Sequence, residues 1–173
     1  PPSMVLEVDP PEHTKNRRFL TQALAPNKIA KLKVFFKDCA DQLINELLKK
    51  KQIDGISDLA EMFPTRVFPE AVGLKKIDKD TLLGYGAMVF NALGPDNEFR
   101  KDAMAKGLSV LEKINKQCLE ENIDNEGLAK EIYRRTAEVS EEEQLAGMLV
   151  RSLLSAGIDT TVSAIGNLLW CFS

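Results

Sequence analysis

The sequence predicts a mainly α-helical protein, and three observations lead to that prediction. Apolar residues recur every three or four positions through most of the chain. Alternation of apolar and polar residues, which is typical of strands, is nearly absent. Residues that commonly start helices, such as Asp and Ser followed by acidic residues, come just before the periodic stretches. The class expected for the whole stretch is therefore all-α.

The first two helices are marked by proline. Asp9-Pro10-Pro11-Glu12 predicts a helix start, because Asp can cap free amides and proline loses no hydrogen bond at the first helical position. This helix is expected over 12–24, and Pro26 is expected to break the helical pattern just after it. An amphipathic helix over 27–51 follows, since its apolar residues return every three or four positions.

The middle of the chain predicts two further helices. One covers 57–73, and Pro64 and Pro69 are expected to interrupt it. The other is opened by Asp78 and ends near Gly94, where a glycine and a proline follow each other.

The last third of the chain predicts three helices, over 97–121, over 126–135, and from Ser140 to the end. Ser140 and the three glutamates after it form a capping box with acidic residues at the positive end of the helix dipole. The final helix is apolar on most faces, so we expect it to lie in the middle of a larger protein and to lack some of its partners here. Both ends of the chain look cut, and we expect residues 1–173 to be part of one domain.

Composition excludes several classes of function. A formal charge of -3 gives no electrostatic reason to expect nucleic acid or an anionic membrane as a partner. We find no signal peptide and expect no apolar run long enough to cross a bilayer. The odd number of cysteines, each within a helical pattern, favours buried or half-buried reduced thiols in a cytoplasm; they are Cys39, Cys118 and Cys171. His13 is the single histidine, which excludes a multi-histidine metal site made by this chain alone.

His13 and Arg17 are the first candidate site. They lie four residues apart and therefore share one face of the first helix. Two donor groups in that arrangement can bind a pair of carboxylates or a phosphate. The alternative is a solvent-facing polar pair at a helix start.

A polar line inside the final helix is the second candidate site. Arg151, Ser155 and Asp159 are spaced by four residues, and an ionisable group in an apolar helix is costly unless it is paired or hydrated. Thr160 follows, and its hydroxyl can bond the carbonyl of Ala156 and bend the helix open. The alternative is the solvent stripe of an amphipathic helix.

Both sites coincide with motifs of one family. Segment 7–18, EVDPPEHTKNRR, resembles the stretch that opens helix C of bacterial cytochromes P450, and segment 156–161, AGIDTT, resembles the motif of their central helix I. The resemblance covers essentially the whole chain and implies an incomplete P450 fold, from helix C to helix I. Segments 68–74, 89–95 and 149–157 look like the bacterial branch that oxidises para-substituted benzoates.

The resemblance implies heme b as cofactor and assigns residues to it. By the family pattern His13 and Arg17 bind a haem propionate, and Ala156 and Gly157 lie against the haem. Asp159 and Thr160 match the acid–alcohol pair that organises water and delivers protons for dioxygen activation. None of the three cysteines stands in the family's F-x-x-G-x-x-x-C-x-G loop, so the iron-ligating cysteine is expected outside this chain and no metal ligand inside it.

Four residues are candidate substrate contacts by the same resemblance. Phe90 and Leu93 fall on the helix that covers the pocket, and Ser152 and Ser155 fall on helix I near its wall. The alternative for all four is ordinary core packing. An aromatic residue is expected where Leu93 stands, and the smaller side chain could admit a bulkier substrate. Arg151 either helps to bind a substrate carboxylate or pairs with a Glu on a neighbouring helix.

The expected function is a haem-dependent monooxygenase that inserts one oxygen atom from O2 into a small organic substrate. Hydroxylation or O-demethylation of an aromatic carboxylic acid is the expected reaction, with a fatty acid or terpenoid as the alternative substrate. The resemblance implies electrons from NAD(P)H through a ferredoxin reductase and an iron–sulfur ferredoxin, in the cytoplasm, and we expect this segment alone to be inactive. The alternative from another class is a haem-free helical binding or regulatory module.

Overall fold

The structure, a computed structural model, describes residues 3–74, 77–139 and 144–173. These ranges contain α-helices, one π-helical turn (Gly55–Ala60), one 3₁₀ turn (Glu120–Asn122) and no β-strand; Leu74 and Ile123 form a single antiparallel bridge. The all-α prediction is confirmed. The helices are α1 (Glu12–Ala23), α2 (Pro26–Leu47), α3 (Met62–Val72), α4 (Lys79–Leu93), α5 (Glu98–Gln117), α6 (Leu128–Ala137), α7 (Leu145–Gly157) and α8 (Asp159–Phe172).

The start of α1 was predicted at the right residue but with the wrong cap. No side chain caps this helix, and Asp9 instead accepts the His13 amide through its backbone carbonyl at 3.0 Å. A capping side chain usually accepts from the amide two or three residues later, and two residues after Asp9 stands Pro11, which has no amide hydrogen.

The predicted interruptions at Pro64 and Pro69 were wrong. Pro64 lies in the first turn of α3, where its missing amide hydrogen costs nothing, and Pro69 lies inside the same continuous helix. The chain changes conformation earlier, at Glu61, between the π-helical turn and α3. The side chain of Asp54 starts that turn by accepting the amides of Ile56 and Ser57 at 2.9 and 2.7 Å.

The starts of α4 and α5 agree with the sequence. Asp78 accepts the amide of Thr81 at 2.8 Å, and Asn97 accepts that of Arg100 at 3.1 Å. The two helices make the most extensive helix–helix contact in the described parts of the chain. Gly107 contributes to this close fit, because a Cβ there would lie 2.8 Å from the sulfur of Met88.

The centre of the fold is α7, which contacts α3, α4, α5 and α6. Its side chains at Leu149, Val150 and Leu154 are completely buried. The predicted start at Ser140 lies outside the described residues. The prediction of one helix continuing to the end was wrong, because the helix breaks at Ile158. Beyond the break, α8 has no buried residue, which agrees with the expectation that this segment lacks partners.

Two further expectations need correction. The segment Leu145–Phe172 is long and apolar enough, by length and composition only, to cross a membrane, although no such segment was expected. A core helix of a soluble protein passes the same test, and the first half of this segment is buried. Cys118 is buried and Cys39 is half-buried, as expected for structural thiols, but Cys171 is exposed because it lies on the uncovered helix α8.

Candidate functional site

Three consecutive polar residues, Asp159, Thr160 and Thr161, directly follow the break between α7 and α8. Ile158 has φ -89° and ψ -71°, which departs from regular helix. The hydroxyl of Thr160 donates to the carbonyl of Ala156 at 2.5 Å, and that of Thr161 donates to the carbonyl of Gly157 at 2.8 Å. The predicted bond from Thr160 to Ala156 is therefore confirmed, and it lies where the helix opens.

Gly157 has a packing reason to be glycine. A Cβ at this position would lie 2.0 Å from the Cζ atom of Phe68, whose ring fills the space. The family resemblance predicts that Ala156 and Gly157 both lie against a haem, and this stays a prediction. In the structure Ala156 and Thr160 are exposed, while the side of Gly157 where a Cβ would stand faces Phe68 of α3.

A cavity of about 480 Å³ lies between α4, α5, α7 and the segment before α1. It includes Leu93, Ser152 and Ser155, three of the four predicted substrate contacts. Phe90 is 42% exposed and is not among the residues lining this cavity. Much of the remaining wall is apolar, and its apolar residues are Leu6, Met88, Val89, Ala92, Ala103, Met104, Leu108 and Leu111.

One side of this cavity carries a buried polar cluster formed by Arg151, Tyr85 and Ser155, which are 4%, 3% and 7% exposed. Arg151 donates to the side-chain oxygen of Asn115 on α5 at 3.0 Å. Its pairing with a Glu of a neighbouring helix stays a prediction. Burial raises the pKa of the Tyr85 hydroxyl to about 12, while the charge of Arg151 and a hydrogen bond with Ser155 partly oppose that shift. Tyr85 therefore stays protonated and is available as a donor near neutral pH.

His13 and Arg17 lie one turn apart on α1, as predicted. His13 is half-buried and Arg17 is exposed. Neither side chain has a hydrogen-bond or ion-pair partner among the described residues. Arg135 of α6 holds α1 in place by donating to Gln22 at 3.1 Å. The structure records no contact between this pair and the break in the C-terminal helix.

Three residues of the site were not identified from the sequence. Tyr85 and Gly86 share the buried side of α4 with Leu82. Their helical spacing from Leu82 could therefore have predicted that they are buried. Asn115 had no local signal, because a single Asn in an amphipathic helix is usually part of its polar side. Within the described residues no group of three or more His, Cys, Asp or Glu side chains is placed to hold a metal ion.

No family model matches the chain. A direct relative was found, cytochrome P450 CYP199A2 of Rhodopseudomonas palustris, which is 43% identical over 176 residues and aligns with the whole chain. The chain is homologous to bacterial cytochromes P450 along its whole length. Cytochrome P450 107B1 of Saccharopolyspora erythraea is 27% identical over 94% of the chain. The chain spans 42% and 40% of the length of these two relatives.

Solved P450 structures share the fold. P450BioI, crystallised with a fatty-acyl carrier protein, superimposes with a TM-score of 0.82 at 18% identity and covers 98% of this chain and 45% of its own. CYP109E1 of Bacillus megaterium, crystallised with testosterone, gives a TM-score of 0.77 at 19% identity and covers 96% of this chain and 45% of its own. The described helices are therefore a helical part of the P450 fold.

Homology to cytochromes P450 implies a haem, and several residues of the chain have the chemistry that this group requires. The carboxylates of haem propionates need cationic or hydrogen-bond donors, and the unpartnered side chains of His13 and Arg17 are such donors. Haem also needs a surface of small side chains beside it, and the exposed Ala156 is suitable. These residues fit the group.

Proposed function

We propose that the protein containing this chain is a haem-dependent monooxygenase that inserts one oxygen atom from O2 into a small organic substrate. The observation that supports this most directly is the break in the central P450 helix, where a carboxylic acid and a hydroxyl, Asp159 and Thr160, follow each other at an opened turn. When bound, haem supplies the redox chemistry that activates dioxygen.

The chain's own part in this reaction is to hold and move protons. Thr160 donates its hydroxyl hydrogen to Ala156, so its oxygen can still accept a hydrogen bond from a water molecule. Asp159 is half-buried and can exchange protons with solvent. Together the two residues form a short path for protons from the surface to the face of the helix that carries Ala156.

The cofactor is held, in this proposal, by residues from two separate helices. His13 and Arg17 bind one propionate from α1, and the small side chain of Ala156 on α7 lets the ring approach the break. Gly157 contributes by letting α7 lie close to Phe68, which keeps the break in place.

The proposed substrate is an aromatic carboxylic acid. The apolar wall of the cavity, which has a volume of about 480 Å³, suits an aromatic ring. Arg151, Tyr85 and Ser155 put a cation and two hydroxyl groups on one side of that cavity, which suits a carboxylate. The resemblance of segments 68–74, 89–95 and 149–157 to the benzoate-oxidising branch supports the same class.

We further propose that electrons arrive from NAD(P)H through a ferredoxin reductase and an iron–sulfur ferredoxin, in the cytoplasm and with no membrane or nucleic acid as a partner. The resemblance to bacterial P450s supports these partners, and the half-buried position of Leu145–Phe172 supports a core role for that helix.

The first experiment is the absorption spectrum of the reduced, carbon-monoxide-bound protein, followed by titration with para-substituted benzoates. A strongly red-shifted Soret band and a benzoate-induced spin-state change are expected. A haem-thiolate band without a benzoate response would retain the family and exclude the substrate class. Absence of any haem spectrum in folded protein supplied with haem would favour the helical binding module.

Arg151→Gln tests the carboxylate site. We expect the dissociation constant of a para-substituted benzoate to rise roughly tenfold or more, because a charge-assisted hydrogen bond is lost. The neutral benzamide of the same shape is the matched ligand, and its affinity should change much less. Equal losses for both ligands would mean that Arg151 supports the cavity wall and does not bind the carboxylate.

A further inference from the structure

Gly86 on α4 lies directly against the acid of the central helix. Gly86 is buried, and a Cβ built on it would lie 3.0 Å from the Cβ of Asp159, 3.6 Å from its Oδ1 and 3.7 Å from its Cγ. A separation of 3.0 Å is shorter than ordinary van der Waals contact between carbon atoms. A side chain at residue 86 would therefore press on Asp159, which would have to move by a few tenths of an ångström.

The carboxylate of Asp159 has no other recorded constraint on its position. No hydrogen bond or ion pair of its side chain is found among the described residues. The residue is also the first of α8, next to the break at Ile158, where the backbone is not held by a regular helix on both sides. Among the described residues, the close approach of α4 at Gly86 is therefore the contact that can restrict where this carboxylate lies.

We propose that Gly86 is a positioning residue that sets the location of the Asp159 carboxylate for proton delivery. The inference rests on the proposed monooxygenase function and adds to it a determinant on another helix. A methyl group at residue 86 must displace Asp159 by several tenths of an ångström, because its nearest contact is the Cβ atom, which is tied to the backbone. The break at Ile158 allows such a displacement without unfolding α4.

Gly84 is a matched control within the same helix. It lies two residues before Gly86, and a Cβ built there meets no atom within 4 Å. Gly84→Ala and Gly86→Ala therefore share the same gain in helix propensity and differ in the contact with Asp159.

The test uses the haem-loaded protein with its reductase and ferredoxin. We expect Gly86→Ala to keep the carbon-monoxide spectrum and the benzoate affinity of the parent. It should lower product formed per electron consumed roughly tenfold, because displacing a catalytic group by a fraction of an ångström is costly. The solvent deuterium isotope effect on turnover should also rise, whereas Gly84→Ala should leave both quantities unchanged.

The Asp159→Asn background separates positioning from a general effect on the fold. If Gly86 acts through the acid, Gly86→Ala should cause no further loss once the carboxylate is absent, since effects on one functional unit are not additive. A further loss of the same factor in that background, or equal behaviour of the Gly84 and Gly86 variants, would overturn the proposal.

A measurement independent of activity covers the case in which Gly86→Ala folds poorly. Asp159→Gly removes the Cβ atom that an alanine at 86 would touch. The double variant Gly86→Ala/Asp159→Gly should recover the unfolding temperature lost by Gly86→Ala, relative to Asp159→Gly alone. No recovery would overturn the contact itself. If the parent protein oxidises no substrate, the monooxygenase proposal fails while this thermal cycle still tests the contact between the two residues.

Discussion

The two helices on either side of Ile158 are built from similar residues but occupy opposite environments. In α7, eight side chains are buried, and the helix contacts α3, α4, α5 and α6. In α8, no residue is buried, and the contacts are with the π-helical turn, with the end of α7 and with α4. Leu168, Trp170 and Phe172 are 56%, 82% and 86% exposed.

This difference shows that apolar composition does not decide burial in this chain; neighbouring helices do. Four helices surround α7, so its leucines exclude water and stabilise the fold. Beyond the break, α8 is equally apolar, yet none of its described residues is buried. The chain spans 42% of the length of its relative from Rhodopseudomonas palustris.

The largest expected effect is from removing a buried leucine of α7. Leu154 is fully buried, and Leu154→Ala should lower the free energy of unfolding by about 2–5 kcal/mol, because it leaves a cavity. Leu168→Ala in α8 is the matched variant, and with residues 1–173 alone it should cost less than about 0.5 kcal/mol, because Leu168 is exposed there. Chemical denaturation of both variants measures the difference. Equal costs in the protein containing this chain would show that α8 is covered there by another segment.

A smaller effect is expected from adding a methyl group at the glycines of the two regions. Gly157→Ala should lower the free energy of unfolding by about 1–3 kcal/mol, because the new Cβ would overlap Phe68 at 2.0 Å. Gly166→Ala meets the flexible end of Ile56 at 3.0 Å, and the gain of up to about 1 kcal/mol in helix propensity should offset that contact.

Thermal unfolding of these two glycine variants and of Phe68→Ala/Gly157→Ala measures the contact. Removing the ring should make Gly157→Ala less costly than it is in the parent. An unchanged cost without the ring would mean that the glycine is required for the backbone conformation at the break and not for the contact with α3.

Local chemistry explains which parts of the fold could be predicted. The caps at Asp78 and Asn97 depend on residues close in sequence, and helix starts were placed there correctly. The wrong predictions of helix boundaries arose where one residue type is compatible with two different structures. Proline either ends a helix or occupies its first turn, and Pro64 occupies the first turn of α3. The bend near Ile158 was expected from the hydroxyl of Thr160, but the apolar pattern, which continues on both sides of it, predicted one helix to the end of the chain.

The site could be predicted in part for the same reason. The bond from Thr160 to Ala156 spans one turn and follows from residue type alone. The positions of Phe68 against Gly157 and of Gly86 against Asp159 depend on how α3 and α4 cross the central helix, which no local pattern contains. The glycines themselves were the sequence feature that could have indicated these contacts. Glycine lowers the stability of a helix, so a glycine inside a helical pattern often stands where another element packs too closely for a side chain.

The smallest effect on stability is expected at the break itself, where two adjacent threonines make the same kind of bond. Thr160→Val and Thr161→Val each remove one hydroxyl that bonds a carbonyl four residues back. Each should change the free energy of unfolding by less than about 1 kcal/mol, since such bonds contribute little net stability to a helix. Circular dichroism during denaturation measures this change.

The two variants should nevertheless differ in activity. Thr160 is exposed beside Ala156, while Thr161 is half-buried and lies on another side of α8. In the haem-loaded protein, Thr160→Val should lower product formed per electron consumed roughly fivefold or more, because the hydroxyl that organises water is lost, and Thr161→Val should retain the parent value. Equal losses in both variants would mean that the hydroxyls act by shaping the break.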